Sequence, residues 1–217
     1  MARQMPRFDM VLGRQAKSAL DLVKAGEQAH TSSSISIRRA WNTPRLEALY
    51  ELAYLRIFAA WEMCQEDVFY RSLCGYASKL GQEVLHRGSY FPNLAAAESD
   101  VLGRHDYKLW HNARQVITRC QRYFVSGGPG FPCTQETMLT SNFSRLVNFE
   151  RIRHRIVHDN MHAKKNFDLT TIQISARTYP GSRPGKLLRD WDVSSIPHKR
   201  WLDVMVMDLV SLAAQIV

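Results

Sequence analysis

The longest apolar pattern in the chain runs from Thr43 to Gly75, and it limits the folds that the chain can adopt. Thr43 is a good helix-capping residue, and Pro44 suits the first helical position. Apolar side chains then recur at three- and four-residue steps, at Leu46, Leu49, Tyr50, Ala53, Ile57, Ala60, Trp61, Cys64 and Val68. A helix of roughly eight turns is usually the central post of a bundle, so we predict an all-α fold.

Four other segments have the apolar spacing of amphipathic helices. They are residues 8–29, residues 94–124 with a bend near Gly103, a helix from Ser141 or Asn142 to His158, and Arg200–Val217. Polar or Gly- and Pro-rich stretches separate the predicted helices, at Thr31–Ser36, Gly81–Asn93 and Ser126–Pro132.

A different pattern follows the fourth predicted helix. Leu169–Ser175 consists of β-prone residues, and Tyr179–Gly185 has the composition of a Pro/Gly turn, so we predict a short β-ribbon or irregular insertion here. The 217 residues are long enough for one domain with a full core. We predict a single domain over 1–217, made of an N-terminal helix and linker (1–42), a helical core (43–158), the insertion (159–199) and a C-terminal helix (200–217).

Composition limits the partners and the compartment. The formal charge of +9 and the pI near 9.6 favour a polyanionic partner such as a nucleic acid, although the charge could also be incidental. No stretch has the roughly 18 uncharged apolar residues needed to span a bilayer, and no signal peptide is recognised at the N-terminus. The chain has four cysteines, Cys64, Cys74, Cys120 and Cys133. They do not have the C-x-x-C spacing of a metal site, and they are too few for a secreted protein stabilised by disulfides, so we expect free thiols in the cytoplasm.

Candidate functional residues cluster at Asn148–Asn160, where the fourth predicted helix ends. The segment reads Arg153-His154-Arg155-Ile156-Val157-His158, with Arg151 just before it. At about 100° per residue, His154 and His158 lie one turn apart on the same side of a helix. Arg153 is farther round the helix, but its long side chain could still reach a ligand shared with His158.

Each of these residues also has a purely structural interpretation. His158 could be a cation that satisfies the C-terminal end of the helix dipole. His154, His158 and His162, at four-residue steps, could instead bind a metal ion, although only Asp159 would support them. The arginines could be a solvated helix face. We also expect most of the acidic side chains along the long helix to form a solvent-exposed face. Glu62 and Glu66 are the exceptions, because either carboxylate could accept a hydrogen bond from a motif arginine.

The Arg153–His158 pattern resembles the active-site signature of the HEPN superfamily, in which an arginine and a polar residue precede an aliphatic pair and a histidine. The aromatic-rich helix Glu51–Tyr76 and the stretches Gly185–Trp191 and Trp201–Val204 are similar to the RiboL-PSP-type branch of that superfamily. The resemblance implies a HEPN-like helical bundle, a homodimer whose two motifs share one groove, and metal-independent cleavage of RNA with no cofactor. It also implies a role as a toxin or antiphage-defence effector, with an antitoxin or regulatory protein as a partner.

The residue types fit the chemistry that the resemblance implies. Histidine titrates near neutrality, so His158 is the candidate general base or acid. Arg153 is the candidate for stabilising the phosphorane, because a guanidinium is always charged and can donate two hydrogen bonds to a phosphate. His154 would orient His158 or the substrate, and Arg151 and Arg155 would bind phosphates. Two alternatives stay open: a catalytically silent HEPN-like module that binds RNA or protein, and a structural helical protein.

Overall fold

The computed structural model describes residues 3–103, 108–125 and 133–217. Within these ranges the protein is all-α with very short strands, as the sequence predicts. The predicted Ser126–Pro132 connection lies outside the described residues. The helices are α1 (Phe8–His30), α2 (Ile35–Ala40), α3 (Thr43–Leu73), α4 (Leu94–Leu102), α5 (Ala113–Tyr123), α6 (Thr134–Ser141), α7 (Phe143–Val157), α8 (Met161–Ser175), α9 (Pro184–Arg189) and α10 (Trp201–Ile216).

Four two-residue strands form two small sheets in the described residues. β1 (Arg3–Gln4) pairs in parallel with β2 (Tyr76–Ala77), and β3 (Trp191–Asp192) pairs antiparallel with β4 (Lys199–Arg200). The second pair is the short β element between the motif helix and the C-terminal helix, so that part of the fold prediction is confirmed.

The prediction of a strand at Leu169–Ser175 is wrong, because this segment is the C-terminal half of α8. The side chain of Asn160 accepts a hydrogen bond from the Ala163 amide and caps the helix. The buried positions of α8 then recur at three- and four-residue steps, at Ala163, Phe167, Thr170 and Thr171. The cap and this helical burial outweigh the β propensity of the local residues, which is a weak preference.

Three helix boundaries also differ from the predictions. The side chain of Asn42, not Thr43, caps α3 by accepting a hydrogen bond from the Arg45 amide. The predicted helix 94–124 is two helices: α4 ends at Leu102 and is followed by Gly103, whose φ is 57°, and the side chain of Asn112 caps α5. A short helix, α2, begins inside the predicted Thr31–Ser36 linker, and the sequence pattern did not predict it.

The chain forms two compact units. The first contains the residues up to Leu12, Ala60–Val147 and Val210–Val217, and the second contains Gly13–Ala59 and Asn148–Leu209. Helices α1, α3, α7 and α10 each pass from one unit into the other, so the units are not separable pieces of sequence. The single-domain organisation stays a prediction.

Aromatic rings dominate the core of the first unit. Phe69 on α3 is fully buried and contacts the rings of Trp110, Tyr123 and Phe124 at centroid distances of 5.3 to 5.9 Å. Tilted and edge-on contacts of this kind add to the stability gained from the buried area alone.

The second unit combines an apolar core with a network of charged side chains. Its buried apolar residues come from α1, α3, α7, α8, α9 and α10, and include Val23, Tyr50, Ile57, Ile152, Phe167, Leu187, Leu188, Leu202 and Leu209. Glu27 on α1 accepts hydrogen bonds from the Tyr50 hydroxyl at 2.9 Å and from Arg189 Nε at 3.0 Å. Arg200 Nη2 lies 3.5 Å from the same carboxylate. The network ties α9 and β4 to α1 and α3.

Helix α9 begins directly against α3. The Gly185 amide donates a hydrogen bond to Glu51 Oε1 at 2.8 Å, and Arg183 forms an ion pair with Glu47. A Cβ atom on Gly185 would lie 2.4 Å from the Glu47 carbonyl oxygen, so only glycine fits at this approach of two backbones.

We therefore expect Gly185→Ala to lower the free energy of unfolding by about 1–3 kcal/mol, the usual range for overpacking. Gly13→Ala on α1 is the matched control, because a Cβ there meets nothing within 4 Å among the described residues. It should leave the stability unchanged or raise it by about 0.5–1 kcal/mol, since alanine favours a helix over glycine. Urea unfolding of both variants checks the prediction, and equal stability of the two would contradict the close approach.

Candidate active site

The predicted motif lies at the C-terminal end of α7, in the second unit. Phe149 and Ile152 are buried and anchor this half of the helix. The Tyr54 hydroxyl on α3 donates a hydrogen bond to the Phe149 carbonyl at 2.8 Å, and Thr170 Oγ1 on α8 lies 3.4 Å from Asn148 Oδ1. The helix that carries the motif is thus fixed on two sides, one turn before the motif begins.

Two imidazole rings lie side by side at the helix end. The ring centroids of His154 and His158 are 4.4 Å apart and the ring planes differ by 45°. His158 is the first residue after α7, but its amide still donates to the His154 carbonyl at 2.9 Å. His154 is half-buried and His158 is exposed. His154 is therefore partly covered, whereas His158 is open to solvent, where a ligand can reach it.

Arg153 is half-buried on the same helix. Burial raises the pKa of the Tyr54 hydroxyl well above its usual range, and the positive charge of Arg153 acts in the opposite direction. The charge of Arg153 therefore acts on the tyrosine whose hydroxyl contacts α7.

Arg155 lies against the backbone rather than in solvent. Its side chain is 12% exposed. Nε donates to the Ser182 carbonyl at 3.0 Å, and Nη1 donates to the His158 carbonyl at 3.3 Å and lies 3.1 Å from Asp159 Oδ1. These contacts close the turn after α7 and favour a positioning role over the phosphate-binding role predicted from the sequence. Arg151, one turn earlier, is half-buried.

We expect Arg155→Ala to lower the free energy of unfolding by about 1–3 kcal/mol, because hydrogen bonds from a charged group to the backbone oxygens of Ser182 and His158 are lost. Arg151→Ala is the matched control and should cost less than Arg155→Ala, because the half-buried Arg151 side chain forms no hydrogen bond or ion pair with another described residue. Thermal or urea unfolding of the two variants measures the difference. If Arg151→Ala were the more damaging variant, the positioning role of Arg155 would be wrong.

The turn after α7 also bears on the metal interpretation. Helix α7 ends at Val157 and α8 begins at Met161, so the four-residue periodicity from His154 to His162 is broken. His162 lies on α8 and its Nε2 is 2.9 Å from Asn166 Nδ2. Asp159 lies 3.3 Å from Lys164 Nζ, and hydrogen bonding to Lys164 holds the pKa of Asp159 below its usual range. In the ranges that the structure describes, no three His, Cys, Asp or Glu side chains form a group suited to a metal ion.

Glu62 and Glu66 both lie in the first unit. Glu62 Oε2 is 3.7 Å from His111 Nδ1, and both side chains are largely buried. Glu66 lines a cavity between α3 and α4. Their role in holding a motif arginine stays a prediction.

Sequence reasoning missed Tyr54, Ser182 and Asn160, the residues that fix the end of α7 and the start of α8. Tyr54 looks like one more apolar residue of the long helix, and Ser182 lies in a turn with no helical or strand pattern. Asn160 had a detectable signal, because asparagine is a preferred capping residue and an amphipathic stretch follows it.

No family model, curated protein or solved structure matches this chain. No helix among the described residues is both long enough and apolar enough to cross a membrane.

Proposed function

We propose that this protein is a metal-independent endoribonuclease of the HEPN type. The observation that carries the proposal is the pair of imidazole rings, 4.4 Å apart, at the exposed end of α7, with Arg153 on the preceding turn. Histidine and arginine supply the proton transfer and the charge stabilisation that cleavage of an RNA strand needs. The net charge of +9 supports the choice of a polyanionic substrate.

In the proposed reaction, His158 removes the proton from a 2′-hydroxyl. The 2′-oxygen then forms a bond to the adjacent phosphorus, and the bond from phosphorus to the 5′-oxygen breaks. The products are a 2′,3′-cyclic phosphate and a 5′-hydroxyl. Arg153 stabilises the extra negative charge of the phosphorane, while His154 packs against His158 and orients it.

The leaving 5′-oxygen needs a proton donor, and the rings of His154 and His158 occupy one small area. We therefore include a homodimer in the proposal, in which a second motif faces the same RNA groove and its histidine donates that proton. Such a dimer has twice the 25.0 kDa mass of the chain. The protein acts in the cytoplasm as a toxin or antiphage-defence effector, and an antitoxin or regulatory protein restrains it.

The experiment compares wild type with His158→Ala on end-labelled single-stranded RNA in excess EDTA, measuring binding and cleavage in parallel. We expect wild type to cleave and His158→Ala to bind without cleaving. Affinity should fall steeply as salt rises, because phosphate contacts release counterions. Tight, salt-sensitive binding without cleavage by wild type would instead favour the silent RNA-binding module, and a salt-independent affinity would favour a structural protein.

A further inference from the structure

A cavity of about 290 Å³ opens in the first unit between α3 and α4. Both helices contribute carboxylates and apolar side chains to its lining, which consists of Met63, Glu66, Asp67, Tyr70, Arg71, Leu94 and Glu98. None of these residues belongs to the α7 motif.

The charges around the cavity are unusual for so basic a chain. Among the residues that the structure describes, three carboxylates line it, and Arg71 is the one lining cation. Arg71 forms an ion pair with Asp67, and its guanidinium lies over the Phe8 ring. Glu66 and Glu98 form no ion pair with any other described residue. The cavity therefore keeps a negative charge that a cation could neutralise.

Tyr70 supplies a second, independent observation. Its side chain is 7% exposed, and its hydroxyl oxygen has no hydrogen-bond partner among the described residues. The ring is fixed by edge-on contacts with Phe69 and Trp110, at centroid distances of 6.1 and 5.6 Å. Burying a hydroxyl without a partner is costly, and native proteins rarely do so unless a water or a ligand completes the site.

The hydroxyl lies close to the two carboxylates without an ion pair. Burial raises the pKa of Tyr70, and the negative charges of Glu66 and Glu98 raise it further, while the positive charge of Arg119 acts in the opposite direction. Burial likewise raises the pKa of the Glu66 carboxyl, and the neighbouring Asp67 and Glu98 charges add to this effect, although the indole of Trp110 and the charge of Arg119 oppose it. A cationic donor placed among these groups would reduce the repulsion between the carboxylates and would give the Tyr70 hydroxyl a hydrogen-bond partner.

We propose that this cavity binds an alkylammonium group, with Glu66, Glu98 and the Tyr70 hydroxyl as its three hydrogen-bond acceptors. A primary ammonium has three N–H donors, as a lysine side chain does, so its donors match these acceptors in number. The side chains of Met63 and Leu94 provide an apolar wall for the attached methylene groups. A free aliphatic diamine and a lysine side chain of another protein share this chemistry.

The test is titration of the full-length protein with 1,4-diaminobutane by isothermal calorimetry, with 1,4-butanediol as the uncharged ligand of the same length. We expect the diamine to bind at one site and the diol not to bind. Glu98→Gln should weaken diamine binding by at least about tenfold, since a hydrogen bond to a charged group is lost. Tyr70→Phe should also weaken it, yet melt no lower than wild type, because the removed hydroxyl has no partner to lose.

Asp21→Asn on α1 is the control for a general change in charge, since Asp21 is exposed and lies in the second unit. It should bind the diamine like wild type. A parallel titration with N-acetyl-lysine methylamide distinguishes the two sources: tighter binding of this compound identifies a protein lysine, and tighter binding of the diamine identifies a free amine. If neither amine binds at millimolar concentration, or if Glu98→Gln binds as wild type does, the proposal is wrong.

Discussion

Replacing Arg153 or His158 by alanine is expected to lower the rate of RNA cleavage by about 10²- to 10⁴-fold, the usual contribution of a general acid or base or of a charge-stabilising group. In the proposed mechanism, one residue moves the proton and the other stabilises the phosphorane. Single-turnover cleavage of a labelled RNA at saturating protein gives these rates directly. RNA affinity should fall far less than the rate, because many other cations of the chain can contact phosphates.

His162→Ala is the matched control, because His162 follows His158 by four residues but lies on α8 and pairs with Asn166. It should cleave within about threefold of wild type, since it has no role in the proposed proton transfer. If His162→Ala lowered the cleavage rate as much as His158→Ala does, the result would favour a metal site formed by three histidines. Arg153→Lys should recover only part of the Arg153→Ala loss, because lysine keeps the charge but lacks the two-donor fork.

The second large effect is expected at Glu27, where Glu27→Ala should lower the free energy of unfolding by about 2–4 kcal/mol. The substitution leaves Arg189 and Arg200, both 24% exposed, without their shared carboxylate and removes the acceptor of the Tyr50 hydroxyl. Asp21→Asn on the same helix breaks only the exposed pair with Lys17 and should cost less than about 0.5 kcal/mol. Urea unfolding at neutral pH compares the two, and equal losses would contradict the network.

The Glu27 contribution should also depend on pH. Burial raises the pKa of this carboxyl, but hydrogen bonds from Arg189 and Tyr50 outweigh burial and lower it overall. A lowered pKa in the folded state means that the charge stabilises the fold above the unfolded carboxyl pKa of about 4.3 and that this stability is lost as pH falls below it. The difference in unfolding free energy between wild type and Glu27→Gln should therefore shrink in acid.

Helix positions followed from the sequence where the apolar period was long. The helices at residues 8–29, 43–75, 142–158 and 200–217 were predicted and are present as α1, α3, α7 and α10. The prediction was wrong at Leu169–Ser175, because local β propensity does not show that a helix face will be buried. A bend near Gly103 was predicted, but the separation into α4 and α5 was not, since it depends on the backbone at Gly103 and on the Asn112 cap.

The candidate site was only partly accessible from the sequence. Spacing alone placed His154 and His158 one turn apart on the same side of the helix, and the structure brings their rings together. The contacts of Arg155 with Ser182 and the approach of Tyr54 to α7 join residues far apart in the chain, and no local pattern records them. The acidic cavity around Tyr70 was missed for the same reason. Its carboxylates come from two helices, and the sequence analysis considered Glu66 only as a partner for a motif arginine.

The measurement that tests the central claim most directly is the chemistry of the product ends. Wild type and an Arg153→Ala/His158→Ala double variant are incubated with the same labelled RNA in excess EDTA, and the products are resolved by end group. The proposed mechanism predicts 2′,3′-cyclic phosphate and 5′-hydroxyl ends from wild type and intact RNA from the double variant. Products with 3′-hydroxyl and 5′-phosphate ends, or equal cleavage by the double variant, would contradict it.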